Sequence, residues 1–105
     1  MRYLFLLNPT AGKRDCTAEL APAIQAAAQR AGIPPEKRKV VVTRYAGHAR
    51  ELAAEAAHTA QADGEPVRIW TAGGDGTFNE ALTGAQGCSL AAVGCLPFGS
   101  GNDFL

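Results

Sequence analysis

The chain has 105 residues and carries 10 lysines and arginines against 10 aspartates and glutamates. That length admits one domain with a modest core, and the balanced charge gives no global field to draw it to nucleic acid or to an anionic bilayer. Cys16, Cys88 and Cys95 are odd in number and lack metal-ligand spacing, so reduced thiols in a cytoplasmic protein are expected, with Cys95 in the core.

Tyr3 to Leu7 is an apolar run too short for a signal-peptide core or a membrane span, and it reads as a strand over 2–7. A glycine-bearing turn, Asn8-Pro9-Thr10-Ala11-Gly12-Lys13, follows it. The spacing of Leu20, Ile24, Ala27, Ala28 and Ala31 predicts a helix over 17–31, ended by Gly32 and Pro34-Pro35. Pro22 is acceptable only in a first turn, so the regular helix is expected to begin near Ala21 or to carry a kink. Lys37-Arg38-Lys39 reads as a solvated entry to a strand over 38–43.

A helix over 47–62 presents Leu52, Ala53, Ala56 and Ala60 on one alanine-rich face, suited to close packing on a sheet. His48 and His58 both lie on it, with no motif joining them to a nucleophile or a metal trio. Packing at the helix start is expected of His48, and a surface position of His58. Arg44 is suited either to a phosphate or to a carboxylate. Residues 62–66 form a turn. A strand over 67–72 follows, whose Trp70 is expected in the core.

Gly73-Gly74-Asp75-Gly76-Thr77-Phe78-Asn79-Glu80 is the most informative stretch. Glycines directly after a strand let backbone N–H groups approach a ligand closely, because no Cβ stands in the way. Thr77 and Glu80 make a Thr-x-x-Glu capping-box pattern, which predicts a helix over 77–85. Asp75 is suited to holding the Mg²⁺ of a polyphosphate or to taking a proton. Gly-Gly-Asp-Gly alone is a common tight-turn sequence. Here, however, a strand over 90–96 is followed by another glycine-rich turn, Pro97-Phe98-Gly99-Ser100-Gly101-Asn102-Asp103. The alternation predicts an α/β fold of three layers, α/β/α, with a mostly parallel, Rossmann-like sheet. All three turns would then open at the carboxyl ends of the strands, where such sheets bind ligands.

Four segments, Asn8 to Lys13, Thr43 to Ala49, Gly73 to Glu80 and Leu96 to Phe104, together resemble the ordered motifs of the diacylglycerol kinase catalytic domain. That family includes bacterial lipid kinases, sphingosine kinases and ceramide kinases. The resemblance covers nearly the whole chain. It implies that Asn8, Pro9, Thr10, Ala11 and Gly12 lie beside ATP, together with Thr43, Gly73, Gly74, Asp75, Gly76, Thr77, Phe78 and Asn79. Ser100 stands where the family usually has threonine and keeps the hydroxyl. Asp75 matches the essential acidic position, and Asp103 a carboxylate linked to the metal network. ATP and Mg²⁺ are the cofactors implied, and a lipid hydroxyl met at a membrane surface is the acceptor. The family continues past this segment into a β-rich domain. Residues 1–105 are therefore expected to be its N-terminal nucleotide-binding part, inactive or nearly so alone, with self-association where the other half would sit. NAD kinases share the Gly-Gly-Asp-Gly element, so a small-molecule kinase is the enzyme alternative, and a non-catalytic nucleotide-binding module the other.

Overall fold

Short apolar runs alternate with alanine-rich periodic segments in this sequence, and the computed structural model turns them into parallel strands and crossover helices. Residues 1–8 and 17–96 are described. The strands are β1 (Arg2–Leu7), β2 (Arg38–Val42), β3 (Val67–Ala72) and β4 (Ala91–Cys95). The helices are α1 (Thr17–Arg30), α2 (His48–Asp63) and α3 (Gly74–Ala85), with one 3₁₀ turn at Pro35–Lys37. All described strand pairs are parallel, in the order β2-β1-β3-β4. The fold is α/β.

Side chains alternate across the sheet and divide the core in two. Leu4 and Leu6 of β1 and Val67 and Ile69 of β3 pack with Ala49, Ala53, Ala57 and Ala60 of α2 and Ala81 and Ala85 of α3. On the opposite face Phe5, Leu7 and Ala72 pack with Ile24 of α1. Leu6, Leu7 and Ile69 are fully buried, each contributing about 1.5–3 kcal/mol over its exposed state. One helix thus covers one face and two cover the other, giving three layers.

Helix α2 buries a face turned slightly from the one read in the sequence. Ala49 and Ala57 are buried, whereas Leu52 and Ala56 pack only at the margin. That all-alanine face lets α3 come very close: a Cβ built on Gly84 would lie 2.2 Å from the Arg50 carbonyl oxygen and 3.0 Å from the Ala53 Cβ. Gly64 ends α2 in the left-handed conformation with φ 71°, its N–H bonding the Ala60 carbonyl.

Several expectations are corrected. Helix α1 occupies Thr17–Arg30, as its spacing predicts, but with Pro22 inside it and not a start near Ala21, so one missing N–H is tolerated. Ala27 and Ala31 are exposed, and Ala21, Ile24 and Ala28 make the inner face. Cys95 is exposed, not core, because β4 lies at the end of the sheet order with no described strand beyond it. Trp70 is half-buried, and it packs across Gly94, where a Cβ would meet the indole at 2.6 Å.

The basic run is partly structural. Lys37 Nζ donates to both oxygens of Glu65, at 3.0 and 2.8 Å. Arg38 donates to Gln25 and to the Ile33 carbonyl, while Lys39 is exposed. The Met1 ammonium also reaches Glu65 at 3.0 Å, and Arg2 bonds Asp63 at 2.6 Å. The Lys37 hydrogen bonds, followed by the one from the chain amine, hold the Glu65 carboxyl at about 2, against an ordinary 4.5. A depressed carboxyl stabilises the fold fully above its unfolded value and loses that contribution as pH falls through its folded value. Glu65→Gln should therefore lower stability at pH 7 and flatten the decline between pH 4.5 and 2. Urea denaturation at both ends of that range checks this, and parallel curves for variant and parent would contradict it.

Candidate functional site

From β1 the chain crosses by α1 to β2 on one side of the sheet. It then returns by α2 past β1 to β3 on the other side. Helices α1 and α3, which follow β1 and β3, therefore pack on opposite faces of the sheet, and a crevice opens between the carboxyl ends of these adjacent strands. Asn8 stands at the end of β1 and Gly73 at the end of β3. The Asn8 N–H continues the ladder to the Ala72 carbonyl at 2.9 Å. Across the crevice the Asn8 side-chain amide donates to Thr77 Oγ1 at 3.1 Å.

Gly73 permits that link. A Cβ there would lie 2.6 Å from the Asn8 Cβ and 2.7 Å from Thr77 Oγ1. Helix α3 begins at Gly74, three residues earlier than the capping-box reading placed it. Thr77 is therefore inside the helix, its hydroxyl donating back to the Gly73 carbonyl at 3.4 Å. The first turn contains Gly74, Asp75 and Gly76, so its unbonded N–H groups carry little side-chain cover.

Glu80 does not reach back to its own helix start. Its Oε2 accepts the N–H of Gly47 at 3.1 Å, tying α3 to the residue that caps α2 with φ 91°. The β2–α2 loop is fixed further by Thr43, whose N–H and hydroxyl both donate to the Leu7 carbonyl, at 2.8 and 3.3 Å. His48 Nδ1 accepts the Arg44 N–H at 2.9 Å, so this histidine organises the helix start. His58 is exposed.

These elements enclose a cleft of about 500 Å³. One wall is Asn8, Gly73, Gly76, Thr77 and Glu80, and the other is Thr43, Arg44, Tyr45, Ala46 and Ala49. Of the residues expected beside the nucleotide, the structure brings together Asn8, Thr43, Gly73, Gly76 and Thr77. Asp75 stands exposed on the first turn of α3, next to this wall but not among its lining residues, as does Asn79 one turn on. Phe78 is half-buried and does not line it. Gly74 is the N-terminal residue of α3. Pro9, Thr10, Ala11, Gly12, Ser100 and Asp103 lie outside the described residues. Arg44 pairs with no carboxylate in the described ion pairs and is exposed at the cleft.

Tyr45 and Glu80 were missed as cleft residues in the sequence. Tyr45 stacks on His48 with ring centroids 4.4 Å apart and planes inclined by 16°. Its hydroxyl donates to Glu51 at 2.6 Å. That bond, aided by desolvation, raises the phenol above its ordinary value of 10.0.

Among the described residues no three histidine, cysteine or acidic side chains gather to hold a metal. The exposed carboxylate of Asp75 fits a Mg²⁺ brought with phosphates, the usual manner for that ion. The uncovered N–H groups of the α3 start fit an anion.

An open parallel sheet whose glycine-lined crevice sits at the reversal of strand order defines an α/β domain of the doubly wound class. Within that class the family is shown by comparison. Residues 2–105 match the model of the diacylglycerol kinase catalytic domain, and the chain belongs to that family. It is 34% identical over 111 residues to sphingoid long-chain bases kinase 1 of Arabidopsis thaliana, covering 99% of this chain and 14% of that protein. A crystal structure from Bacillus anthracis str. Sterne, assigned as a diacylglycerol kinase, superposes with TM-score 0.66 at 25% identity, over 98% of this chain and 32% of that one. A second structure from the same organism gives 0.64 at 24% identity, covering 98% and 34%, and supports the fold. The chain thus spans well under half the length of the relatives it matches. No helix among the described residues is long and apolar enough to cross a membrane.

Proposed function

We propose that this chain is the nucleotide-binding part of a lipid kinase that transfers the γ-phosphoryl group of ATP to a lipid hydroxyl at a membrane surface. The observation that carries the reading is the crevice itself. The Asn8–Thr77 hydrogen bond and the Cβ-free approach at Gly73 set a helix start with open N–H groups at the strand-order reversal. Phosphoryl transfer needs positioning and charge neutralisation more than covalent help from protein. The glycine wall suits the phosphates. Arg44, exposed on the facing wall, is available to a phosphate charge. Mg²⁺, when bound with the nucleotide, neutralises charge on the phosphate oxygens. In this reading Asp75, exposed on the first turn of α3 beside the cleft, meets that ion or accepts the acceptor hydroxyl's proton. The kinase relatives support a lipid acceptor, named as a sphingoid base in one and diacylglycerol in the other. The remainder of the lipid site would come from a β-rich domain beyond this segment.

The reading is tested in an enzyme that carries this segment together with a family β-rich domain. Transfer of labelled phosphate from ATP to diacylglycerol and to a sphingoid base is measured in mixed micelles. Asp75→Ala should reduce turnover by about 10³-fold or more, as loss of a group acting on the transferring phosphate does. It should leave the melting temperature unchanged, since Asp75 is exposed. Near-normal turnover by the folded variant would remove Asp75 from the chemistry. Transfer to neither lipid by the parent would remove the lipid-kinase reading.

A further inference from the structure

Tyr45 is 55% exposed, although it carries an aromatic ring, and it lines the cleft. Its conformation is nevertheless fixed at several points. His48 covers one face of the ring at a centroid distance of 4.4 Å. Glu51, one turn into α2, holds the hydroxyl at 2.6 Å. The backbone around it is closed by the His48 N–H donating to the Tyr45 carbonyl at 3.1 Å. The Arg44 N–H donates to His48 Nδ1, which orients the supporting imidazole. A surface tyrosine serving only to staple the helix start would turn its ring flat against the protein and leave little of it in solvent. This one is braced by His48 and at its hydroxyl, and the residue is still more than half exposed beside the cleft.

From this arrangement we infer that Tyr45, seated on His48, is the stacking platform for the purine base of a nucleoside triphosphate whose phosphates lie on the glycine wall. The inference rests on the nucleotide reading above and adds to it the residue that reads the base. A ring already ordered loses little conformational freedom when a second ring stacks on it. Stacking is strongest with the larger π-surface, so purines are favoured over pyrimidines. The two walls have separate tasks. Gly73, Gly76 and Thr77 take a triphosphate whatever it is attached to, and Tyr45 distinguishes a nucleotide from a bare polyphosphate.

The test is calorimetric titration of the chain and of its Tyr45→Ala, Tyr45→Leu and Tyr45→Phe variants with MgATP, MgCTP and magnesium tripolyphosphate, with thermal melts for each protein. The parent should bind ATP more tightly than CTP, and CTP at least as tightly as tripolyphosphate. Tyr45→Ala should weaken ATP by about tenfold or more, the usual effect of removing a base-stacking aromatic, and leave tripolyphosphate unchanged. Tyr45→Leu keeps bulk without a π-face and should behave like the alanine variant, whereas Tyr45→Phe should retain the preference for ATP. Equal weakening of ATP and tripolyphosphate, or no change in either, would overturn the platform while leaving the phosphate site standing. A folded parent that binds neither compound would overturn the nucleotide reading itself.

Discussion

Gly84→Ala is expected to lower the melting temperature by roughly 10 °C, against the sign that helix propensity alone predicts. Alanine is intrinsically about 1 kcal/mol better than glycine inside a helix, so an unconstrained site would gain stability. Gly84 is constrained by the backbone of α2. Its Cβ would stand 2.2 Å from the Arg50 carbonyl oxygen and 3.0 Å from both the Ala53 Cβ and the Ala54 nitrogen. A flexible side chain can turn aside from such a clash, but a helical carbonyl cannot. The two helices must separate, and every alanine contact between them loosens. Overpacking of this kind costs about 1–3 kcal/mol and more where nothing yields. A net loss of about 2 kcal/mol corresponds to the shift stated for a domain near 100 residues. Gly84→Val, larger and without alanine's compensating propensity, should leave the chain largely unfolded at 37 °C. Circular-dichroism melts check both. A Gly84→Ala protein as stable as the parent would mean that the helices do not approach this closely.

Gly76→Ala should do the reverse, keeping the fold and losing the ligand. Gly76 lies on the same helix, yet a Cβ there meets nothing within 4 Å. Helix propensity then acts unopposed, and stability should hold or rise by up to about 1 kcal/mol. Gly76 also lines the cleft, so the added methyl occupies space that a phosphate needs to reach the N–H groups of the first turn. Affinity for MgATP should fall by about tenfold or more, equivalent to one charge-assisted hydrogen bond of about 1.5–3 kcal/mol. Gly73→Ala should lose affinity for a different reason. Its Cβ would strike Asn8 and Thr77, breaking the bond that joins the two strand ends, and stability should fall with binding. The pair therefore separates a ligand contact from a structural one. Unchanged ATP affinity in a folded Gly76→Ala protein would show that the glycine wall is not where phosphates lie.

The order of strands and helices was legible because local patterns and tertiary packing agree along most of this chain. Val67 to Ala72 has β-branched content and ends in glycines, and the strand stops where the glycines begin. The helices were legible from alanine and leucine spacing, although the buried face of α2 is turned toward Ala49 and Ala57 because a second helix packs against it. Position in the sheet was not legible. Cys95 sits in an apolar run and still faces solvent, and nothing in its sequence neighbours tells that β4 has no described strand beyond it. Partnerships between distant residues were equally hidden. Glu80 has the spacing of a capping box, but Gly47 offers an N–H in a left-handed turn across the cleft, and the carboxylate goes there. Nothing in the spacing of α3 marks Gly84 as a point where α2 comes so close. Of the cleft, the glycine wall was readable from sequence alone, whereas the facing wall at Tyr45 depended on how the β2–α2 loop folds.

In the proposed function, the crevice between the ends of β1 and β3 is a formed nucleotide site in this chain. Its most direct test is calorimetric titration of the purified 105-residue protein with ATP, with and without Mg²⁺, alongside the Gly76→Ala protein. Saturable binding at one site, strengthened by Mg²⁺ and weakened in the variant, is the expected result. Absence of binding by a chain with a cooperative melt would contradict it.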